Sequence, residues 1–224
     1  MDHSKGNELL VMVAQRLKNV MTDKDFVSRN GGDEFLFIIS DLEDREVLEE
    51  LLNNILQLFR NPFILDNREF IITCSIGVSI YSEHGKSADE LMKHSDIAMY
   101  QAKNKGRNVA FIFDEEMKEG LLKELNLTED LYKALKNNQF ELHYQPQVDS
   151  RVDIIMGVEA LIRWKHPTLG FISPAVRIPL AGKTGLILEI GEWVIKTAIR
   201  QKKHGKKKIF LIFQSPLIYQ SINL

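Results

Sequence analysis

The segment Arg29-Asn30-Gly31-Gly32-Asp33-Glu34-Phe35 constrains the fold more than any other stretch of the chain. Asn and Gly tolerate positive φ, and short apolar runs at residues 26–28 and 35–39 flank the segment, so the pattern predicts a β-hairpin. A hairpin has an apolar face that other elements must cover. Leu10, Val13, Ala14 and Leu17 recur at i, i+3, i+4 and i+7, which predicts a helix with one buried face. That helix starts almost at the first residue, with no strand ahead of it. Leu48, Leu51, Leu52, Ile55 and Phe59 predict a second helix, closed by Asn61-Pro62. Residues 70–81 are β-branched around Gly77 and read as one strand. Ser87 with Glu90 is a capping-box pair opening a third helix to about residue 103, and residues 109–113 read as a strand.

The composition then shifts. Asp114, Glu115, Glu116, Glu119, Glu124, Glu129 and Asp130 meet only Lys118 and Lys123, while Leu121, Leu122 and Leu125 keep helical spacing. This predicts a solvated linking helix and a boundary near residue 120, dividing the chain into a domain over 1–113, a linker helix over 114–126 and a second domain over 127–224. The second domain reads as a helix over 128–136, strands over 140–145 and 158–164, a helix after Ser173-Pro174, a helix over 188–204 and a strand over 209–213. The fold class is α/β. An open, parallel-type sheet of this size leaves apolar partners missing, which predicts a poorly ordered second domain beside a more compact first one.

At 44% hydrophobic and 27% charged, the 224 residues can bury a core, which excludes a disordered or low-complexity chain. Lys and Arg total 29 against 31 Asp and Glu, arguing against nucleic acid as a general partner. Cys74 has no second cysteine to pair with, and no Cys/His set has zinc spacing, as suits a reducing cytoplasmic setting. No run reaches the roughly 18 to 20 apolar residues of a membrane span, so no membrane segment is expected in this chain. From Trp193 to Leu224 there is no Asp or Glu, while Lys196, Arg200, Lys202, Lys203, Lys206, Lys207 and Lys208 accumulate. The run reads either as a basic surface for nucleic acid or anionic lipid, or as a solvated helix end whose lysines complement the dipole.

In the turn, adjacent glycines let backbone amides approach an anionic ligand, and Asp33 with Glu34 can hold a divalent cation that bridges phosphates. An acidic Asn-Gly turn equally needs no function. Lys103 and Arg107, four residues apart at a helix end, read either as phosphate partners or as ordinary C-terminal cations.

Several ordered motifs carry a resemblance. Gly6-Asn7-Glu8-Leu9-Leu10, the Arg29-to-Phe35 segment, Ser75-Ile76-Gly77-Val78-Ser79, and then Asp96, Ala98, Tyr100, Ala102, Lys103, Gly106, Arg107 and Asn108 resemble the GGDEF domain of diguanylate cyclases. The resemblance implies a nucleotidyl-cyclase-like domain with a ferredoxin-like core, which joins two GTP molecules into cyclic di-GMP at the interface of two domains. It implies that Asp33 binds Mg²⁺ or Mn²⁺, that Glu34 is an active-site acid, and that Gly31 and Gly32 approach GTP. Asn7 then contacts guanine, while Lys103 and Arg107 hold phosphates. The family's first strand, with a metal-binding Asp, and a guanine-binding Asn just after it lie outside this sequence. Asn7 stands where the family has Asp, and accepts less strongly. The family's inhibitory product site uses Arg-x-x-Asp where this chain has Thr22 with Asp25.

In residues 158–164 the period of two puts Glu159, Leu161 and Arg163 on one face and Ala160, Ile162 and Trp164 on the other. An acid and a guanidinium there suit a metal and a phosphate, or simply a strand-surface ion pair. Gln145 could reach the same ligand. Tyr144-Gln145-Pro146, Glu159-Ala160-Leu161, Arg163-Trp164, His166-Pro167, Ile178-Pro179 and Thr184-Gly185-Leu186-Ile187 resemble the EAL family of cyclic di-GMP phosphodiesterases. The resemblance implies the first part of a TIM-like (β/α) barrel in which two Mg²⁺ or Mn²⁺ ions open cyclic di-GMP to pGpG. Glu159 is then a metal ligand, and Gln145 and Arg163 hold the nucleotide phosphate.

The departures are large. Ala181-Gly182 replaces the family's Ala-Glu, and Phe213, ahead of Gln214 and Ser215, falls where the family has a metal-binding Asn. The residues from 127 onward fall well short of the roughly 250 that a complete barrel takes, and the family's later metal-binding carboxylates lie beyond Leu224. The expectation is a tandem GGDEF-EAL cyclic di-GMP signalling chain, cut inside both domains and catalytically incomplete. The alternatives are a degenerate module binding GTP or cyclic di-GMP, or a cyclase completed by a partner, with a homodimer or a full-length relative as the partner.

Overall fold

The computed structural model describes residues 3–42, 44–204 and 211–212. The chain separates into two compact units, Met1–Glu119 and Gly120–Leu224.

The first unit opens with α1 (His3–Lys18), whose buried face carries Val13 and Leu17. The hairpin follows as β1 (Phe26–Gly31) and β2 (Glu34–Ile38), antiparallel, with Arg29 opposite Phe35 and an irregularity before Gly31. Gly31 and Gly32 take φ values of 136° and 49°, the left-handed region that favours glycine and lets so tight a reversal form. In α2 (Arg45–Leu58), the Asp44 side chain accepts from the Val47 amide at the N-terminus.

A hairpin unforeseen in the sequence comes next, β3 (Phe63–Leu65) against β4 (Arg68–Phe70), turned at Asp66 and Asn67 with φ of 52° and 59°. The single strand expected over 70–81 is not formed. β4 ends at Phe70, and β5 covers only Ile76–Val78. A strand persists only where a ladder partner exists, and among the described residues none lies beside 71–75.

The capping box forms as the spacing predicts: Ser87 Oγ accepts from the Glu90 amide at 3.2 Å, and the Glu90 carboxylate accepts from the Ser87 amide at 3.3 Å, opening α3 (Ala88–Asn104). β6 (Ala110–Ile112) returns parallel to β5, so the pair is a β-α-β unit covered by α3.

Val13, Leu17, Ile55, Phe59 and Phe63 form the core of this unit. Arg16 ties it together. Its guanidinium lies 3.5 Å from the Phe63 ring centroid and donates to the carbonyls of Leu58, Asn61 and Pro62 at 2.7 to 3.0 Å. A cation on the carbonyls that end a helix satisfies both their lone pairs and the dipole.

α4 (Glu115–Ala134) runs unbroken where a linking helix and a separate helix were expected, because no proline interrupts it. In the second unit, β7 (Phe140–Asp149) and β8 (Ile154–His166) are antiparallel, which corrects the expectation of a parallel-type sheet. The connection over 150–153 is far shorter than the dozen or so residues a parallel crossover needs. β9 (Gly170–Ile172), also unforeseen, pairs antiparallel with β8. α5 (Pro174–Thr184), with Ser173 as N-cap and Pro174 in its first turn, and α6 (Ile187–His204) follow. They lead to β10 (Leu211–Ile212), which is parallel to β8. Residues 209, 210 and 213–215 and Lys206 to Lys208 lie outside the described residues, so Phe213 and most of the basic run are not placed.

The second unit has its own apolar core. Trp164 is fully buried among Leu131, Ala134, Phe140, Leu180, Ala181, Leu186 and Ile190, with Ile162 beside it. Helices α4, α5 and α6 supply the apolar partners that the sheet itself does not. His166 Nδ1 accepts from the Leu169 amide at 3.2 Å, which leaves Nε2 to donate to Asp130 at 3.0 Å and so joins α4 to the β8–β9 turn.

Candidate functional site

In the first unit the hairpin turn presents Gly31, Gly32, Asp33 and Glu34, all exposed. A side chain at Gly31 or Gly32 would meet nothing within 4 Å, so the turn is open to a bulky ligand. Arg29 Nε donates to the Gly32 carbonyl at 2.9 Å and stiffens the reversal.

α3 brings further groups toward the turn. Partial burial, followed by the Glu34 carboxylate, pushes the Asp96 carboxyl up from its usual range, and the Lys103 ammonium opposes that shift. Glu34, Asp96 and Lys103 therefore share one electrostatic neighbourhood, as Asp96 and Lys103 lie two helical turns apart on one face. Asn7 sits exposed on α1, and Arg107 lies past the end of α3 with φ of 61°, its amide bonded to the Ala102 carbonyl. Among the described residues, neither is hydrogen-bonded or ion-paired to the turn.

At the family's product-site position, Asp25 accepts from the Thr22 amide and hydroxyl at 2.8 Å each and from the Ser40 amide at 3.0 Å. The Thr22 amide is the first cause holding this carboxyl below its usual range. Its oxygens serve the local turn. A depression of about 560 Å³ lies elsewhere, lined by Arg45, His84, His94 and Phe113 among others, and contains none of the residues named above for nucleotide contact.

In the second unit the strand register places Gln145 directly opposite Glu159 and Glu141 opposite Arg163. Gln147 Nε2 donates to the Glu159 carboxylate at 3.2 Å, a contact the sequence did not suggest. Arg163 Nη1 donates to the Ile162 carbonyl at 3.1 Å. Across β8 the faces divide as the alternation predicts, since Ile162 and Trp164 face the core. Sequence reasoning missed Arg177 on α5, which is only 7% exposed. Its signal was a lone cation inside Val176-Arg177-Ile178-Pro179-Leu180-Ala181. Burial first, then the neighbouring Arg163 guanidinium, lower its pKa to about 10.

The described residues do not fit a two-metal centre. No group of three or more His, Cys, Asp or Glu that could hold a metal ion occurs among them. On β7, Gln147 donates to the Glu159 carboxylate and Gln145 stands opposite Glu159 in the register, so both residues that β7 sets against it are amides. Hard cations such as Mg²⁺ and Mn²⁺ take several oxygen ligands, carboxylates foremost.

Comparison with known proteins defines the class. The family model for the diguanylate cyclase GGDEF domain matches residues 2–109, and the EAL domain model matches residues 128–224. The chain thus belongs to the tandem GGDEF-EAL family of cyclic di-GMP signalling proteins.

Among its relatives is the bifunctional diguanylate cyclase/cyclic di-GMP phosphodiesterase MucR of Pseudomonas aeruginosa, 40% identical over 90% of this chain and 29% of the relative. The cyclic di-GMP phosphodiesterase PdeR of Escherichia coli is 36% identical over 92% of this chain and 31% of the relative. The chain thus spans less than a third of the length of these curated relatives. The solved GGDEF domain of TpbB (YfiN) from Pseudomonas aeruginosa superposes with a TM-score of 0.52 at 28% identity, covering 54% of this chain and 70% of that one. The S helix-GGDEF-EAL structure of Vibrio cholerae LapD, bound to c-di-GMP, superposes with a TM-score of 0.52 at 19% identity, over 94% of this chain and 49% of that one, and shows the fold alone. Among the described residues no helix is long and apolar enough to cross a membrane.

Proposed function

We propose that this chain is a cyclic di-GMP signalling module that by itself turns over neither GTP nor cyclic di-GMP. The observation that carries the reading is the company of Glu159: amides from Gln145 and Gln147 where two-metal hydrolysis calls for further carboxylates. The Ala181-Gly182 pair removes another acid from the family pattern, and Asn7 replaces the Asp that would hold guanine. Glu159, Gln145 and Arg163 are left with a binding role toward the nucleotide, and Asp33 and Glu34 with an incomplete metal position. Incubation of the full chain with cyclic di-GMP and Mn²⁺, and separately with GTP and Mg²⁺, is expected to give no pGpG above a Glu159→Ala control and no cyclic product. Turnover that the Glu159→Ala control loses would refute the reading.

A second reading, retained nucleotide binding at the turn, is favoured by the proximity of Glu34, Asp96 and Lys103. Lys103 then holds a GTP phosphate, and a second copy of the chain or a longer relative is the natural partner, since the family reaction joins two nucleotides. Lys103→Ala is expected to weaken GTP binding about three- to five-fold, the scale of an exposed charge pair. Equal weakening by Lys93→Ala, a control at another exposed lysine of α3, would reduce the effect to charge adsorption.

A further inference from the structure

We infer that the hollow at the carboxyl ends of β5 and β6 is a binding site for a free α-amino acid with a large apolar side chain, held by its ammonium and its carboxylate together. At about 560 Å³ it has the size of a small-molecule site. Its walls come from 82–86, which follow β5, from 113–115, which follow β6, and from the N-terminal parts of α2 and α3. Open α/β sheets take ligands at this end of their parallel strands. Glu90 stands in the first turn of α3 and Lys103 about 20 Å further along it, so the hollow and the surroundings of Lys103 lie at opposite ends of the helix.

The histidines leave one acceptor unmet. The Ile80 amide donates to His84 Nδ1 at 2.9 Å, which puts that ring's proton on Nε2, 3.3 Å from the Glu83 carboxylate. His94 Nδ1 meets the His84 carbonyl, which can only accept, so His94 donates there and keeps a lone pair on Nε2. Among the described residues nothing is hydrogen-bonded to that nitrogen. The His94 ring lies flat on Phe113, with 4.1 Å between centroids and 8° between planes, and His84 meets the same ring edge-on at 5.5 Å. Phe113 is buried and gives the hollow an apolar floor.

Both signs of charge line the walls. Arg45 and Lys86 are exposed there, and among the described residues neither side chain is hydrogen-bonded or ion-paired. Four carboxylates share the rim, and each engages a single oxygen: Glu83 toward His84, Glu90 on the amides of Lys86 and Ser87, Asp114 on the Met117 amide, and Glu115 on Lys118. A simple anion would face these carboxylates, and a simple cation would face Arg45 and Lys86. A zwitterion avoids both penalties. Its ammonium carries three donors, for His94 Nε2 and the remaining carboxylate oxygens, while its carboxylate accepts from Arg45 and Lys86. A large apolar side chain then packs on Phe113. The inference goes beyond the function proposed above and uses neither Glu159 nor the turn.

The test is calorimetric titration of the full chain with L-phenylalanine. Beside it stand phenylalaninamide, which lacks the anion, phenylpropionate, which lacks the ammonium, and glycine, which lacks the apolar side chain. L-Phenylalanine is expected to bind saturably, and each analogue roughly ten-fold more weakly or worse, the scale of one charge-assisted contact or one buried side chain. Arg45→Gln and His94→Phe are expected to weaken L-phenylalanine by a similar factor, the second keeping a ring on Phe113 while removing Nε2. Lys93→Ala, at an exposed lysine of α3 outside the hollow, is expected to bind like wild type. Should His94→Phe fail to fold, Arg45→Gln and the analogues on wild type still decide.

No saturable binding by wild type, equal binding of L-phenylalanine and any analogue, or equal weakening by Lys93→Ala would overturn the inference. Hydrolysis of cyclic di-GMP by a chain that binds L-phenylalanine in this way would refute the proposed function and keep the site.

Discussion

Gly77→Ala is expected to destabilise the first unit by about 3 kcal/mol or more, at the upper end of what overpacking costs. A Cβ at Gly77 would stand 2.0 Å from the Ser95 carbonyl oxygen and 2.2 Å from the Met99 amide nitrogen, both backbone atoms of α3. No rotamer change can relieve a clash with helix backbone, so α3 must lift away from β5. That movement would uncover Ala98 and Ala102, which are fully buried, and would shift Asp96 and Lys103 relative to Glu34. Against a typical stability of about 5 to 15 kcal/mol, the loss is a large fraction of the whole. Urea unfolding of the full chain reads it as a fall in the midpoint of the first unit. Gly182→Ala is the contrasting control: this exposed position inside α5 has open space around it, and alanine there is expected to stabilise by up to about 1 kcal/mol. A Gly77→Ala chain unfolding like wild type would contradict the β5–α3 packing.

The second unit turns on Trp164. Trp164→Ala is expected to cost about 3 to 5 kcal/mol, the range for emptying a large buried aromatic site. The ring is fully buried, packs against Phe140 at 6.1 Å between centroids, and donates from Nε1 to Gln139 at 3.0 Å. Truncation would open a cavity between β8 and α4, α5 and α6 and leave Gln139 without its donor. The readout is the urea midpoint of the second unit, with loss of its cooperative transition expected. A midpoint close to wild type would mean that Trp164 does not organise the core.

Features set by local chemistry were legible in the sequence. Gly31 and Gly32 announced a turn because few other residues take their φ, and Ser87 with Glu90 announced a helix start because the two side chains serve each other's amides. The core-facing placement of Ile162 and Trp164 on β8 followed from the two-residue period of a strand. Features set by tertiary partners were not legible. Ile71 to Ser75 are good strand formers, yet strand structure there needs a neighbour that propensity cannot supply. The β3–β4 hairpin escaped notice because its strands are three residues each, too short for alternation to register.

The antiparallel β7–β8 pair was not readable, because the strands expected over 140–145 and 158–164 leave a connection long enough for a crossover, whereas β7 and β8 run on until only 150–153 separates them. At the candidate sites, the register opposing Gln145 to Glu159 and the field linking Glu34, Asp96 and Lys103 emerge only once the strands and α3 are packed. Arg177 was hidden for the same reason: a cation in an apolar run becomes informative only when its burial and its neighbour Arg163 are known.

The most direct measurement of the central claim is a single-turnover experiment. The full chain is held in excess over cyclic di-GMP with saturating Mn²⁺, and the nucleotide is recovered and resolved by mass spectrometry over hours. Excess protein makes even a slow first cleavage visible and separates chemistry from product release. The account expects intact cyclic di-GMP throughout, with wild type and Glu159→Ala indistinguishable. Conversion to pGpG by wild type and not by Glu159→Ala would show that Glu159 supports metal-dependent hydrolysis and would contradict the account.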